Sequence, residues 1–138
     1  AAFDQSHSVL VRPDGRIVIA DSANHRLREV DRDGIVRTIG GDGTAGYGGD
    51  GGPVGKARLN LPSAMSMLPD GAILIADYGN GKLRRLAADG MITTYADVAG
   101  PAGFDVAADG TVYVVSLANR GLYSVDPASR TGKAGPLR

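Results

Sequence analysis

Residues 11–31, VRPDGRIVIADSANHRLREVD, contain the pattern that decides the fold. The pair Asp14-Gly15 precedes the apolar run 17–20, and a polar turn with Asn24 leads into a second strand-like run. Asp-Gly between two apolar runs is the strongest short-range signal for a β-hairpin, because such turns need positive φ angles. The run 17–20 is apolar at every position, which predicts a strand that is buried on both faces.

The same pattern occurs twice more without gaps, as MLPDGAILIADYGNGKLRRLA at 67–87 and VAADGTVYVVSLANRGLYSVD at 106–126. The Asp-Gly turns begin at Asp14, Asp70 and Asp109, so the copies start 56 and 39 residues apart. One four-stranded propeller blade has about 40–45 residues, and the longer interval is one such unit with a 17-residue insertion. The repeat therefore predicts an all-β protein of about three four-stranded antiparallel meanders, which are β-propeller blades.

The chain of 138 residues is predicted to form one domain. The insertion, GDGTAGYGGDGGPVGKARLNL, lies between the last strand of one blade and the first strand of the next. Its start is too rich in glycine for a regular element, so we expect a mobile surface loop, followed by a short helical turn from Pro53 to Arg58. Because Gly132, Gly135 and Pro136 disfavour a strand, we expect the third blade to be incomplete. The predicted bounds are 8–40 for blade 1, 41–61 for the insertion, 62–96 for blade 2 and 101–138 for blade 3.

Composition and charge exclude several classes of function. Hydrophobic residues make up 43% and charged residues 22%, which is typical of a soluble globular domain. Lys plus Arg and Asp plus Glu both number 15, whereas nucleic-acid binders usually carry a basic surplus, so no nucleic-acid partner is expected. No run approaches the roughly 18 apolar residues of a membrane helix, so no membrane partner is expected either. The absence of cysteine excludes disulfides, thiolate zinc sites and a cysteine nucleophile.

Two segments carry a resemblance to a known repeat family. Residues 19–28 read IADSANHRLR and residues 75–84 read IADYGNGKLR, so that each apolar strand ends in Ala-Asp and is followed by Asn, a basic residue and an apolar-basic strand. This pattern, placed after an Asp-Gly turn, resembles the NHL-repeat β-propellers. The third copy keeps Asn119 but has Ser116 in place of Asp and Gly121 in place of Arg. The glycine-rich insertion also looks like the long link between bacterial NHL repeats.

The resemblance implies a specific architecture. Closed propellers usually have four to eight blades and the NHL family commonly has six, so about three blades imply half of a six-bladed ring. Two arrangements stay open. The favoured one is a segment of a longer propeller, and the other is a homodimer in which each chain gives three blades. NHL propellers of this kind occur as exported or sensor domains in bacteria, so the resemblance favours an extracellular or periplasmic location.

Five polar residues recur in the turn between the second and third strands of the blades, called here the B–C turn. A carboxylate in such a turn can accept backbone N–H bonds, and Asn tolerates left-handed backbone while bonding its own turn. We therefore interpret these residues as structural turn residues. They are Asp21, Asn24, Asp77, Asn80 and Asn119.

A second set of residues contains the candidates for ligand binding. Arginine on the third strand of a blade can pair with a neighbouring acid, or it can belong to a rim that binds an anion or a protein. His25 and Arg120 lie in B–C turns, and Tyr47 is the aromatic residue of the insertion. The candidates are His25, Arg26, Arg28, Lys82, Arg84, Arg120 and Tyr47.

No catalytic, metal or cofactor site is predicted. The two histidines, His7 and His25, lie at unrelated blade positions, whereas a metal site needs several convergent ligands. A Ser-His-Asp set cannot be assigned, and the insertion lacks the residues of an EF-hand or a phosphate loop.

The sequence therefore favours a non-catalytic binding or scaffold module that presents its blade loops to a protein, a peptide or a glycan. Fold analogy supplies one alternative, because some six-bladed relatives are lyases or lactone hydrolases that use a metal in the central channel. The other alternative is a structural or oligomerisation unit of a larger protein.

Overall fold

The computed structural model describes residues 2–134, which form three antiparallel sheets, one for each sequence repeat. Blade 1 consists of β1 (Ser8–Val11), β2 (Ile17–Asp21), β3 (Arg26–Val30) and β4 (Val36–Gly40). Blade 2 consists of β5 (Gly52–Pro53), β6 (Pro62–Met67), β7 (Ile73–Asp77), β8 (Lys82–Leu86) and β9 (Met91–Asp97). Blade 3 consists of β10 (Pro101–Val106), β11 (Val112–Ser116), β12 (Gly121–Val125) and β13 (Gly132–Ala134). Within residues 2–134, no helix is long and apolar enough to cross a membrane.

The predicted all-β meander class is confirmed. In each blade, consecutive strands of the repeat pair as antiparallel neighbours, and the first strands lie innermost, where β6 contacts both β1 and β10. The last strand of blade 3, for which the sequence is poor, is the short strand β13 paired with β12. Residues 135–138 of the predicted third blade lie outside the described residues.

The Asp-Gly pairs form the tight turns between the first and second strands. In each blade the Asp carboxylate accepts a hydrogen bond from the backbone N–H two residues further on, and the following glycine has positive φ. Glycine adopts this left-handed backbone without the steric cost that a Cβ atom brings. The glycines are Gly15 at φ 88°, Gly71 at 84° and Gly110 at 88°.

The core lies between the blades, and β7 is its centre. Ile73 and Ile75 face blade 1, whereas Leu74 and Ala76 face blade 3, and all four are at most 1% exposed. The expected burial on both faces is thus confirmed for blade 2. Fully burying a side chain the size of Ile or Leu stabilises a fold by about 1.5–3 kcal/mol, so the alternating faces of β7 hold the stack together.

The two end blades are covered on one face only. In β11, Val114 is buried against blade 2, while Tyr113 and Val115 on the other face are 42% and 44% exposed. On blade 1, Val9 and Val11 of the inner strand are 65% and 64% exposed. The second face of each end blade therefore presents apolar side chains without a neighbouring blade in residues 2–134.

The insertion is packed against the blades over its second half. Val54, Ala57 and Leu59 are buried in the core between blades 1 and 2. The strand β5 pairs with the outer edge of β9, and the predicted helical turn is the 3-10 turn Val54–Lys56. The apolar residues of this half fill space that the two sheets leave open at their outer edge.

Candidate functional site

A buried polar network closes the B–C turn of blade 2. The Asp77 carboxylate accepts hydrogen bonds from Asn80 Nδ2 at 2.7 Å, from Arg84 Nη1 at 3.0 Å and from the backbone N–H of Asn60 at 2.8 Å. The side chains of Asp77 and Arg84 are both 0% exposed. Both partners are withdrawn from solvent, so the pair fixes the geometry of the turn and does not offer a free charge to a ligand.

Blade 1 repeats this network with residues found 56 positions earlier. The Asp21 carboxylate accepts hydrogen bonds from Asn24 Nδ2 at 3.0 Å, from Arg28 Nε at 2.9 Å and from the backbone N–H of Asp4 at 2.9 Å. The sequence predicted that these carboxylates bond backbone within their own turns. The backbone donor lies instead 17 residues earlier, so each carboxylate ties its turn to the segment that precedes the inner strand.

Blade 3 has a neutral network at the same positions. Ser116 takes the place of Asp, and its hydroxyl accepts a hydrogen bond from the Asn119 backbone N–H at 3.1 Å and donates to the carbonyl of Ala99 at 2.5 Å. Asn119 Nδ2 donates to the hydroxyl of Tyr123, which takes the place of Arg, at 2.9 Å. The acid and its basic partner are therefore replaced together.

The two buried aspartates differ in pKa. Burial raises the pKa of Asp77 above its ordinary value, despite three opposing hydrogen bonds. Burial acts in the same direction on Asp21, but its hydrogen bonds outweigh burial and lower the pKa of that carboxyl. Arg28 beside Asp21 is 13% exposed and Arg84 beside Asp77 is 0% exposed, because the insertion covers the network of blade 2.

Three of the predicted ligand-binding residues lie in ion pairs on the third strands. Arg84 is 0% exposed, so burial places it inside the protein and not on a rim. Arg28 Nε lies 2.9 Å from Asp21, and Lys82 Nζ lies 2.6 Å from Asp97. These cations are thus already engaged with acids of the chain.

The other four candidates are spread over separate places. His25 Nδ1 accepts a hydrogen bond from the backbone N–H of Leu61 at 3.1 Å and thereby joins blade 1 to the chain that enters blade 2. Arg26 Nη2 contacts a carbonyl of the insertion at 3.5 Å, and Tyr47 packs on blade 2. Arg120 is exposed and has no hydrogen bond or ion pair within the described residues. The structure does not bring the seven candidates together in one site.

A cavity of about 340 Å³ lies where the inner strands of the three blades converge. We call it the inner-strand pocket. It is open to solvent beside the B–C turns of blades 2 and 3. Its lining residues are Gln5, His7, Leu61, Ser63, Tyr78, Ala102 and Leu117.

Three equivalent positions of successive blades supply this lining. The first position precedes the inner strand and has left-handed backbone in every blade, with φ 48° at Gln5, 54° at Leu61 and 54° at Gly100. The second lies two residues further along, and the third begins the B–C turn. The second position holds His7, Ser63 and Ala102, and the third holds Ser22, Tyr78 and Leu117. All of these residues line the pocket except Ser22, and Gly100 of the first position does not line it either.

The pocket combines apolar walls with a few polar groups. Leu61, Ala102 and Leu117 are apolar, and the Ser63 hydroxyl donates to main-chain carbonyls of blade 3 at 3.1 and 3.2 Å. The side chains of Gln5, His7 and Tyr78 have no hydrogen-bond partner within residues 2–134. An apolar cavity with a few free polar groups is the usual form of a ligand site.

This pocket was not predicted from the sequence, although a signal for it was present. The Asp, Asn and Arg positions of blades 1 and 2 are identical, whereas the pocket positions carry a different residue type in each blade. Such variation within a repeated frame is typical of positions that are not needed for the architecture. Among the described residues, no group of three or more His, Asp or Glu side chains could hold a metal ion.

No family model matches the chain. Among curated proteins, the chain is 34% identical over 77 residues to protein SUPPRESSOR OF QUENCHING 1, chloroplastic, of Arabidopsis thaliana, a match that covers 55% of this chain and 7% of that protein. It is 25% identical over 100 residues to teneurin-1 of Mus musculus, covering 63% of this chain and 4% of that protein. The chain thus spans less than a tenth of the length of these curated relatives.

Solved structures show the fold. Virginiamycin B lyase from Staphylococcus aureus superposes with a TM-score of 0.67 at 12% identity, covering 94% of this chain and 40% of that one. A gluconolactonase from Xanthomonas campestris gives a TM-score of 0.67 at 20% identity, covering 86% and 43%. A protein of unknown function from Bacteroides thetaiotaomicron gives 0.75 at 18% identity, covering 84% and 34%. These proteins are β-propellers, so the three sheets are propeller blades.

Proposed function

We propose that the chain is part of an NHL-type β-propeller and works as a non-catalytic binding module, with its ligand in the inner-strand pocket. One observation carries this proposal. The positions that line the pocket differ from blade to blade, while the buried networks beside them repeat in blades 1 and 2. Lining residues that vary while the surrounding hydrogen-bond networks repeat are typical of a surface that recognises a particular ligand.

The ligand that suits this pocket best is a protein or peptide that inserts one side chain with an apolar body and a polar end. The volume of about 340 Å³ lies at the lower end of ligand-site volumes, so it accommodates one such group and not an extended small molecule. Leu61, Ala102 and Leu117 would contact the apolar body. The free polar groups of Gln5 and His7 would bond the polar end. A glycan is the remaining ligand class of this proposal.

Peptide and glycan arrays probed with the purified chain test the proposal, and one hit from them serves as the probe for titrations. Leu117→Asp places a charge on the apolar wall, so we expect at least a tenfold loss of affinity for that probe. Arg120→Asn is the matched control, because Arg120 lies in the same B–C turn but does not line the pocket. Loss of binding with Arg120→Asn and not with Leu117→Asp would overturn the pocket proposal in favour of the exposed rim.

The lyase and gluconolactonase among the solved structures support a second candidate, which is a segment of a propeller enzyme. Among the described residues, His7 is the one His, Asp or Glu side chain in the lining of the inner-strand pocket, so additional metal ligands would come from other blades. Metal analysis of a complete ring containing these blades distinguishes the two candidates. A stoichiometric divalent ion would favour the enzyme, and a ring that binds its ligand without a divalent ion would favour the binding module.

The exposed apolar faces of blades 1 and 3 support a proposal about partners. Blade 2 shows what covers each kind of face, because Ile75 packs on blade 1 and Ala76 packs on blade 3. We propose that further blades, of a longer chain or of a second copy, cover the free faces in the same way. The mass of this chain in solution tests the second copy. A dimer supports two half-rings, and a folded monomer at high concentration contradicts them.

A further inference from the structure

The insertion binds blade 2 through one acidic residue. Asp50 Oδ1 lies 2.9 Å from Arg84 Nη2, and the backbone N–H of Thr94 donates to Asp50 Oδ2 at 3.1 Å. The Thr94 hydroxyl also bonds Asp50 Oδ2. One carboxylate of the insertion thus joins the third and fourth strands of the blade.

The aromatic residue of the insertion covers the same place. The Tyr47 ring lies 4.9 Å from the Arg84 guanidinium carbon and 5.3 Å from Lys82 Nζ, which are cation–π distances. Its hydroxyl donates to Asp50 Oδ2 at 2.9 Å, and Arg84 Nη2 donates to the carbonyl of Gly48 at 3.1 Å. A Tyr-x-x-Asp segment with glycine between its anchors is therefore recognised by Arg84.

Backbone pairing completes this contact. The N–H of Gly51 donates to the carbonyl of Ile92 at 2.8 Å, and the N–H of Val54 donates to the carbonyl of Gly90 at 2.9 Å. The insertion thereby extends the outer edge of blade 2 by one short strand. Ile92, which lies beneath it, is 0% exposed.

The arginine and threonine of blade 2 that bind this segment are called here its receptor, and blade 1 has an equivalent pair. No segment lies on the receptor of blade 1 among the described residues. Arg28 and Thr38 occupy the places of Arg84 and Thr94, and each arginine is paired across the ladder with its threonine. Arg28 Nε bonds Asp21 and Nη1 bonds Thr38, while Nη2 has no partner in residues 2–134. The two guanidinium groups are oriented differently, because Asp77 bonds Nη1 of Arg84 whereas Asp21 bonds Nε of Arg28. In blade 2, Arg84 Nη2, a nitrogen that does not contact Asp77, binds Asp50.

The edge of blade 1 is also open. The sheet ends at β4, whereas the sheet of blade 2 continues to β5. Val36, in the place of buried Ile92, is only partly buried, and Thr38 is exposed. Strand edges with unpaired backbone groups readily accept another strand.

Blade 3 lacks both halves of the interaction. Tyr123 stands in the place of the arginine, and the link into the blade is only residues 98–100. Receptor and glycine-rich segment thus occur together in blade 2 and are absent together in blade 3. Blade 1 keeps the receptor, with a cationic nitrogen and a strand edge unfilled.

We propose that the outer edge of blade 1, formed by Arg28, Thr38 and residues 34–36, binds a glycine-rich segment that carries Tyr-x-x-Asp, supplied by the linker of another propeller blade. The acidic residue would pair with Arg28 Nη2, the aromatic ring would cover the guanidinium, and the glycine backbone would pair with β4. This site lies at the outer edge of the ring and is independent of the inner-strand pocket.

A synthetic peptide with the sequence of residues 43–59, GTAGYGGDGGPVGKARL, is the probe for this site. Titrated into isotope-labelled chain, it should shift the amide signals of Val36 and Thr38 in a saturable way. The same peptide with Asp50→Asn should bind at least about tenfold more weakly, because it loses a charge-assisted hydrogen bond. This comparison leaves the protein unchanged, so folding cannot confound it.

Variants of the protein locate the site. Arg28→Gln should weaken peptide binding at least about tenfold. Thr38→Val should also weaken peptide binding, and because Thr38 is exposed this second variant keeps the Asp21–Arg28 pair. Arg37→Gln is the matched control on β4, the strand of Thr38. Peptide binding should stay within about twofold, since Arg37 pairs with Asp31 on the face of the sheet opposite Thr38. Absence of binding at millimolar peptide, equal binding of the Asp50→Asn peptide, or shifts at Ile92 and Thr94 instead would overturn the proposal.

Discussion

Arg84 and Asp50 form an ion pair with 2.9 Å between Nη2 and Oδ1, although 34 residues separate them in the chain. Arg84 is 0% exposed and lies in β8, whereas Asp50 belongs to the glycine-rich insertion. The pair therefore determines where the insertion lies on blade 2. Glycine lets the insertion fold back on itself, since Gly49 has φ 83° and a Cβ atom there would lie 2.6 Å from the Cα of Ala57, and the buried cation holds the insertion on blade 2.

Removing the carboxylate should destabilise the chain. We expect Asp50→Asn to lower the free energy of unfolding by about 1–3 kcal/mol, because Arg84 stays buried with one charged partner fewer. Urea unfolding measures this loss. Asp42→Asn is the control within the same insertion: its partner Arg58 is 53% exposed, so the loss should be below about 1 kcal/mol. Equal losses for the two variants would contradict the anchoring role of Asp50.

The stability that Asp21 contributes should depend on pH in one direction. Its folded-state pKa lies below the ordinary value of 3.8, because hydrogen bonds to the carboxylate outweigh burial. This stability is therefore present above pH 3.8 and is lost as the pH falls through the folded pKa. The difference in unfolding free energy between the wild type and Asp21→Asn should stay constant from neutral pH to about pH 5 and shrink below 3.8. A difference that grows on acidification would contradict this assignment.

The left-handed position before each inner strand should tolerate glycine and reject a side chain where the space is closed. Gln5→Gly should change stability by less than about 1 kcal/mol, because relief of the strained φ and the entropy of glycine offset each other. Gly100→Ala should cost more than about 1 kcal/mol, since φ is 54° and a Cβ atom would lie 2.9 Å from the backbone nitrogen of Ala118. Thermal unfolding compares the two variants. A larger loss of stability for Gln5→Gly than for Gly100→Ala would contradict left-handed backbone at these positions.

The faces of the end blades and of the central blade should respond differently to charge. In the monomeric chain, where no second copy covers this face, Val9→Lys adds a cation at a residue that is 65% exposed, so its effect should stay within about 0.5 kcal/mol. Ile75→Lys would bury an unpaired cation at a residue that is 0% exposed and should prevent folding. Circular dichroism in urea measures both. Unfolding caused by Val9→Lys would mean that this face is already covered in solution.

The fold could be predicted from the sequence because its determinants are local. The Asp-Gly turn at Asp14 and the apolar run that follows define a hairpin within a few residues, and the repeat shows that the hairpin recurs. Two-sided burial was predicted for every blade but holds fully only for β7, because a strand cannot show from its own residues whether a neighbouring blade is present. In residues 2–134 no blade covers the outer faces of blades 1 and 3, so Val9 and Tyr113 are exposed.

The candidate site was harder to predict because it depends on distant contacts. Arg84 looks like a surface arginine in the sequence, and only the insertion 34 residues earlier shows that it is buried. The packing of Leu59 between the blades was hidden in a stretch that composition describes as a loop. The inner-strand pocket needs residues from three blades, such as His7, Ser63 and Leu117, and no single repeat contains it.

Amide hydrogen exchange tests most directly the claim that apolar two-sided strands stack these blades. We predict that the slowest exchange in the chain occurs in β7 and β8 of the central blade, where Ile75 and Leu83 are 0% exposed, and that β1 and β13 exchange much faster. Slowest exchange in blade 1 or blade 3, or uniformly fast exchange along β7, would contradict the stacked-blade account.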